Sequence, residues 1–154
     1  MLEGVDAIIA YQEAAGETPI LSPQAERILG YRCEEIAPFP AWRAATHPDD
    51  LPRCRAAWDG AGGAWDLTYR VRRADGAWIW VHDAARRVAP GGSAPRTFGV
   101  VTDITGSREA SEALRASEER YRLLVDGAVD GILVSDADDR YVEANPAVCR
   151  MLGY

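Results

Sequence analysis

The sequence predicts an α+β fold: a five-stranded antiparallel sheet with short helices packed on one face, and a helix after the last strand. Three observations lead there. Trp65, Leu67, Tyr69 and Val71 alternate with Asp66, Thr68, Arg70 and Arg72, the period of a half-buried strand. The turn signals Asp75-Gly76 and Pro90-Gly91-Gly92 then divide the next stretch into extended runs. Upstream, two short apolar runs precede a series of helix start and stop signals.

In order, residues 7–13 read as a strand, 14–17 as a turn and 18–21 as a second strand. Ser22 has the chemistry of an N-cap, Pro23 suits the first helical position and Gly30 the left-handed residue that ends a helix, so 23–29 is helical. A further helical turn over 34–36 is ended by Pro38-Phe39-Pro40. Asp49 and Asp50 open a helix that runs to about residue 59, where their charges favour its N-terminus, and the glycines of 60–63 end it. Three long strands come next, over 65–72, 77–88 and 96–102. Residues 107–125 lack glycine and proline and form one helix. Its Ala110, Leu114, Ser117, Tyr121 and Leu124 make a short, half-small seam, and Glu118 and Arg122 an i,i+4 pair.

Composition narrows the function. The 154 residues carry a net charge of −7, and every one of the 17 basic residues is arginine. Without lysine there is no Schiff base and no phosphate-loop lysine. The acidic balance argues against nucleic acid. Cys33, Cys54 and Cys149 are odd in number and far apart, which gives no metal spacing and no disulfide framework and predicts a reducing cytoplasm. No apolar run reaches the ~18 residues of a membrane span, so no membrane insertion is expected, and no signal peptide opens the chain. No Ser/His/Asp set or Gly-rich nucleotide loop is visible, so this chain is expected to be no enzyme.

The chain also repeats itself. Residues 22–31, SPQAERILGY, match 145–154, NPAVCRMLGY, at five of ten positions. Upstream, Val5-Asp6-Ala7-Ile8-Ile9 matches Val129-Asp130-Gly131-Ile132-Leu133, which places one extra loop residue in the first copy. The chain therefore reads as one complete unit plus the opening of a second, a piece of a longer protein. The second copy has too few elements to bury a core and is expected to be mobile or docked on something else.

These motifs resemble the PAS family: SPQAERILGY after the second strand, His47-Pro48-Asp49-Asp50, Tyr69-Arg70 through Asp75-Gly76, and Asp103-Ile104-Thr105 before a charged helix. The resemblance implies a PAS sensory domain over 1–105, a signalling linker helix over 106–125 and the truncated start of a second PAS domain over 126–154. It implies a sensory or dimerisation module of a bacterial signal-transduction protein, passing its signal to an output domain, foremost a sensor histidine kinase. The alternatives are the regulatory part of a diguanylate cyclase or phosphodiesterase, and a dimerisation scaffold that holds no ligand.

The resemblance also frames the candidate sites. Tyr69, Val71, Ile79, Val81, Gly99 and Val101 point toward the helices, either as plain core or as a pocket for a small apolar ligand. Light-sensing members hold flavin through Asn, Asn and Gln on the three long strands. Here those positions fall on Val71, Val81 and Val101, and Cys54-Arg55 echoes only part of the reactive-cysteine motif, so flavin is not expected. Haem needs an axial ligand. His82 points to the outer face, which leaves His47 as the haem candidate beside its plainer reading as a loop-fixing ring. No cofactor and no metal are predicted. Asp103, Ile104 and Thr105 are the expected signal-coupling residues, with Asp103 either capping the helix or pairing with Arg72 or Arg73. Trp78, Trp80 and Phe98 on the outer face, with Leu114 and Tyr121 of the helix, form the expected homodimer surface, the alternative being cover by the chain itself.

Overall fold

The computed structural model describes residues 7–13, 17–60, 63–89 and 94–153. The expected turns at 14–17 and 90–92, the glycine segment 60–63, and Val5, Asp6 and Tyr154 of the repeat lie wholly or partly outside them. Two compact units divide the chain, Met1–Gly106 and Ser107–Tyr154.

The first unit is built on five strands: β1 (Ala7–Gln12), β2 (Ile20–Leu21), β3 (Ala64–Arg72), β4 (Trp78–Val88) and β5 (Arg96–Asp103). They pair antiparallel in the order β2-β1-β5-β4-β3. Between β2 and β3 lie α1 (Gln24–Leu29), α2 (Cys33–Ile36), α3 (Phe39–Ala45) and α4 (Leu51–Trp58). This is the predicted α+β architecture. Ile8, Leu29, Trp42, Trp58, Tyr69 and Val81 are among the side chains of a single core between the sheet and the helices.

Two local expectations are corrected, and a third, the helix start at Asp49-Asp50, holds with a different bonding. Pro38-Phe39-Pro40 does not break helical structure; it starts α3, with Pro38 at the N-cap and Pro40 in the first turn. The N–H that proline lacks has no intrahelical partner there anyway. Ser22 does not cap α1, whose N-cap is Pro23. Its hydroxyl accepts instead from the Ile9 amide at 2.9 Å, and the Ser22 amide donates to the Ile9 carbonyl at 2.8 Å, so it fastens helix to strand. Asp50 is the N-cap of α4 but gives that helix no side-chain bond. Its carboxylate accepts from the Arg70 amide at 3.0 Å and Arg70 Nε at 2.9 Å, tying α4 to β3.

The second unit holds most of α5 (Thr105–Asp126), the β6 (Leu133–Ser135) and β7 (Tyr141–Ala144) hairpin, and α6 (Pro146–Leu152). Along α5 the i,i+4 ion pairs are Arg108–Glu112 and Arg115–Glu119 rather than the expected Glu118–Arg122. Residues 126–153 form a hairpin and a helix locally bonded around Asn145, which is 1% exposed. Its Nδ2 donates to the Val125 and Asp130 carbonyls, and its Oδ1 accepts from the Ile132 and Val148 amides. The apolar shortage argued from the sequence is nonetheless visible: Tyr141, Val142, Met151 and Leu152 are all exposed.

The repeat needs a one-residue correction. Asn145 N–H bonds the Ile132 carbonyl as Ser22 N–H bonds that of Ile9. Ala10 pairs with Leu21 as Leu133 pairs with Ala144. Ile9 therefore corresponds to Ile132, not to Leu133, and no extra loop residue separates the copies.

Candidate functional site

Alternation along β4 aims Ile79, Val81, Asp83 and Ala85 at the helices, and a carboxylate thereby enters the core. Asp83 is 5% exposed. Its Oδ2 accepts from the Tyr69 hydroxyl at 2.8 Å and Trp58 Nε1 at 3.4 Å, and its Oδ1 from Trp65 Nε1 at 3.0 Å. The Tyr69 oxygen in turn accepts from Trp42 Nε1 at 2.9 Å. All three donors to Asp83 are neutral. Burial therefore pushes its pKa up, against the opposing pull of the three hydrogen bonds. Burial likewise holds the Tyr69 hydroxyl protonated, its pKa well above the ordinary value, and pushes the Cys54 thiol up to about 11.

Asp83 forms part of the wall of a cavity of about 70 Å³. Phe39, Trp42, Trp58 and Trp65 also line it, with Ala85, Gly99 and Val101 of the sheet. The volume lies well below the ~300–1,000 Å³ of ordinary small-molecule sites. Of the six residues expected to line a pocket, Gly99 and Val101 line this cavity; Val71, Ile79 and Val81 are packed in the core, and Tyr69 lies behind the wall, bonded to Asp83 and Trp42. Gly99 keeps the sheet wall thin, because a Cβ there would come within 3.1 Å of the Ala85 Cβ.

His47 does not line the cavity. Its ring packs edge-on against Trp78 with centroids 4.7 Å apart, and its Nδ1 accepts from the Asp49 amide at 3.2 Å. Both ring contacts lie outside the cavity wall, so His47 is not placed to offer a nitrogen to a group bound there. His82, on the opposite face from Val81, lies 2.8 Å from Asp66 through Nε2. Among the described residues no group of three or more His, Cys, Asp or Glu could hold a metal ion, and no helix is long and apolar enough to cross a membrane.

At the end of β5, Asp103 Oδ1 accepts from the Thr105 amide at 2.9 Å, closing the first turn of α5. Two further bonds tie this turn to β4: the Ile104 amide donates to the Trp80 carbonyl at 2.9 Å, and the Trp80 amide donates to Thr105 Oγ1 at 2.9 Å. Asp103 thus takes the capping role of the two that the sequence left open. Arg73 is paired with Asp75 instead.

On the outer face, Trp78, Phe98 and Val100 are 41%, 49% and 44% exposed; Phe98 and Val100 are neighbours on β5, and Trp78 lies toward the other end of β4. Trp80 is half-buried, with the Arg70 guanidinium 5.3 Å from its ring centre. Tyr11 stacks on Phe98 at 5.0 Å. Leu114 and Tyr121 of α5 are exposed.

Comparison with known proteins agrees with this architecture. Residues 20–101 match the model of the PAS fold, and 119–154 match a second PAS domain model. The chain is 36% identical over 120 residues to the uncharacterized protein y4lL of Sinorhizobium fredii, covering 75% of this chain and 14% of that protein. It is 25% identical over 137 residues to the sensor protein FixL of Bradyrhizobium diazoefficiens, covering 86% of this chain and 27% of that one. A solved structure of a sensory box histidine kinase/response regulator from Burkholderia thailandensis superposes with a TM-score of 0.60 at 28% identity, over 80% of this chain and 95% of that one. The chain thus spans about a seventh and a quarter of the two curated relatives. With the strand order, the Asp103-Ile104-Thr105 junction and the family match over more than half its length, the chain belongs to the PAS family.

Proposed function

We propose that this chain is a sensory and dimerisation module that passes a change in its sheet to an output domain through α5. The observation that carries this reading is the junction, where Trp80 of β4 holds the first turn of α5 by both its amide and its carbonyl. A shift of β4 therefore moves the start of the helix. The output domain is proposed to be a histidine kinase, in line with the likeness to FixL and to the Burkholderia protein; a cyclic-di-GMP enzyme is the second candidate. The module itself catalyses nothing in this reading. Two chains would pair through the outer strip of Trp78, Trp80 and Phe98 and through the Leu114 and Tyr121 side of α5.

We propose further that the module works in a reducing cytoplasm without flavin or haem. Val71, Val81 and Val101 offer no amide to a flavin ring, the 70 Å³ cavity is small for either group, and His47 turns toward Trp78. The same small volume favours the second reading, a scaffold with no ligand.

The test is coupling between cavity and helix. Ala85→Leu, which fills the cavity, is expected to change amide exchange over the first two turns of α5 by several-fold. Thr105→Val, which removes the acceptor for the Trp80 amide, is expected to abolish most of that response in the double variant. Unchanged exchange in Ala85→Leu would overturn signal transfer through this junction and leave the scaffold reading.

A further inference from the structure

The Asp83 carboxylate accepts hydrogen bonds only from neutral groups, and His82 beside it on β4 faces the other side of the sheet. A charge taken from water is ordinarily compensated by a cation or surrendered by protonation. Here three hydrogen bonds, from Tyr69, Trp58 and Trp65, occupy three of roughly four lone-pair positions of the two oxygens. Oδ1 carries one of these bonds and Oδ2 two, so Oδ1 retains an acceptor position. The same carboxylate borders the cavity.

The aromatic residues lining the cavity are Phe39, Trp42, Trp58 and Trp65, with Tyr11 of β1, whose ring lies against Phe98. Tryptophan is the strongest partner of a cation among the aromatic side chains, and aromatic walls beside a carboxylate are the arrangement that holds organic ammonium ions. Their orientation is fixed by the network itself. Trp58 stands edge-on to both Phe39 and Tyr69, with centroids 5.7 and 5.5 Å apart, while its indole N–H is held by Asp83. An anionic ligand would face Asp83, and a neutral apolar one would leave the carboxylate without a counter-charge.

We propose that this cavity is a binding site for a small alkylammonium cation, with Asp83 as its counter-ion and the tryptophan rings as its walls. The ammonium N–H would donate to the open position on Oδ1, and its carbon atoms would fill the space between Ala85, Gly99 and Val101. At about 70 Å³ the site admits a group of a few heavy atoms. The proposal rests on the sensor reading only in taking the cavity as the input.

The experiment uses two probes of one shape, isopropylammonium chloride and isopropanol, with sodium chloride as the salt control. The indole N–H signals of Trp58 and Trp65 are tracked by NMR up to about 50 mM, well above a millimolar dissociation constant. The expected result is saturable movement of both signals with isopropylammonium, at least tenfold tighter than with isopropanol and absent with sodium chloride. Asp83→Asn should weaken it at least tenfold. Should that variant not fold, Ala85→Leu retains the carboxylate, fills the cavity, and should abolish binding. Equal affinity for ammonium and alcohol would overturn recognition by charge while leaving an apolar pocket. Absence of saturation with either probe would overturn the site altogether. Neither outcome decides the exchange coupling between cavity and helix on which the sensor reading stands.

Discussion

Two aspartates show how one residue type acquires opposite roles. Asp50 sits against Arg70, whose side-chain hydrogen bonds hold its pKa below the usual carboxylate value. No guanidinium bonds Asp83, and burial raises its pKa against the pull of its three hydrogen bonds and the His82 ring. Their contributions to stability therefore change with pH in opposite directions. A carboxyl with a lowered folded pKa stabilises the fold above its unfolded value of about 3.9 and loses that contribution as pH falls through the folded value. One with a raised folded pKa binds its proton more tightly in the folded state, so stability falls as pH rises from about 3.9 through the folded value. The stability of Asp50→Asn relative to the unmodified chain is expected to improve as pH drops below about 4, and that of Asp83→Asn to improve as pH rises above it. Urea unfolding from acidic to neutral pH reads both slopes, and equal slopes would contradict this account. Asp83 is legible in principle, since it lies in phase with Ile79 and Val81 along the predicted strand. A strand pattern assigns inward positions to apolar residues, however, and so passes over the one inward charge. Its donors are not legible so simply, because Trp58 comes from α4 while Trp65 and Tyr69 come from β3.

Elements with a strong period are readable in the sequence, and those set by long-range bonds are not. The three long strands come from alternation and two turns. The start of α3 at Pro38-Phe39-Pro40 is ambiguous because proline marks both the end of a helix and its first turn, and only the residues after it decide between them. The offset between the copies is ambiguous because short apolar strings align equally well one residue apart. The hydrogen bonds of Ser22 and Asn145 fix it. With that register, Gly131 stands where the first unit has Ile8, and Val148 where it has Ala25. A Cβ on Gly131 would lie 3.0 Å from Val148 Cγ2, so bulk has moved from strand to helix. Gly131→Ala is expected to destabilise the second unit by about 1–3 kcal/mol through overpacking. Adding Val148→Ala should recover part of this, which amide exchange at Ile132 and Val148 would report. A strictly additive loss would show that the two sites do not share space.

At the scale of the whole molecule, apolar residues remain on the surface of each unit. Trp78, Phe98 and Val100 are exposed in the first, and Leu114, Leu124 and Tyr121 along α5. Neither surface is large: the helix seam is half small residues, and most helical stability in proteins comes from packing against a partner. Sedimentation equilibrium is expected to show a dimer at about 100 μM, well above a micromolar dissociation constant, and Leu114→Glu should weaken it at least tenfold by opposing two carboxylates. A monomer at that concentration would remove the dimer. Sequence alone places exposed apolar residues on both the strand face and α5, because alternation on a strand and a seven-residue spacing are local patterns. Which surfaces meet across two chains is a property of the pair.

β4 carries both Asp83 and Trp80, three residues and about 10 Å apart along the strand. It lies inside the sheet, with β5 on one side and β3 on the other, each hydrogen-bonded along most of its length. A strand gripped on both edges neither stretches nor bends easily, so it behaves as a push-rod: a displacement of the carboxylate at one point displaces the helix anchor at the other by a similar amount. In the proposed reading, with the cavity as input and α5 as output, no hinge is needed between them, and sensitivity is set by how firmly two neighbouring strands hold a third.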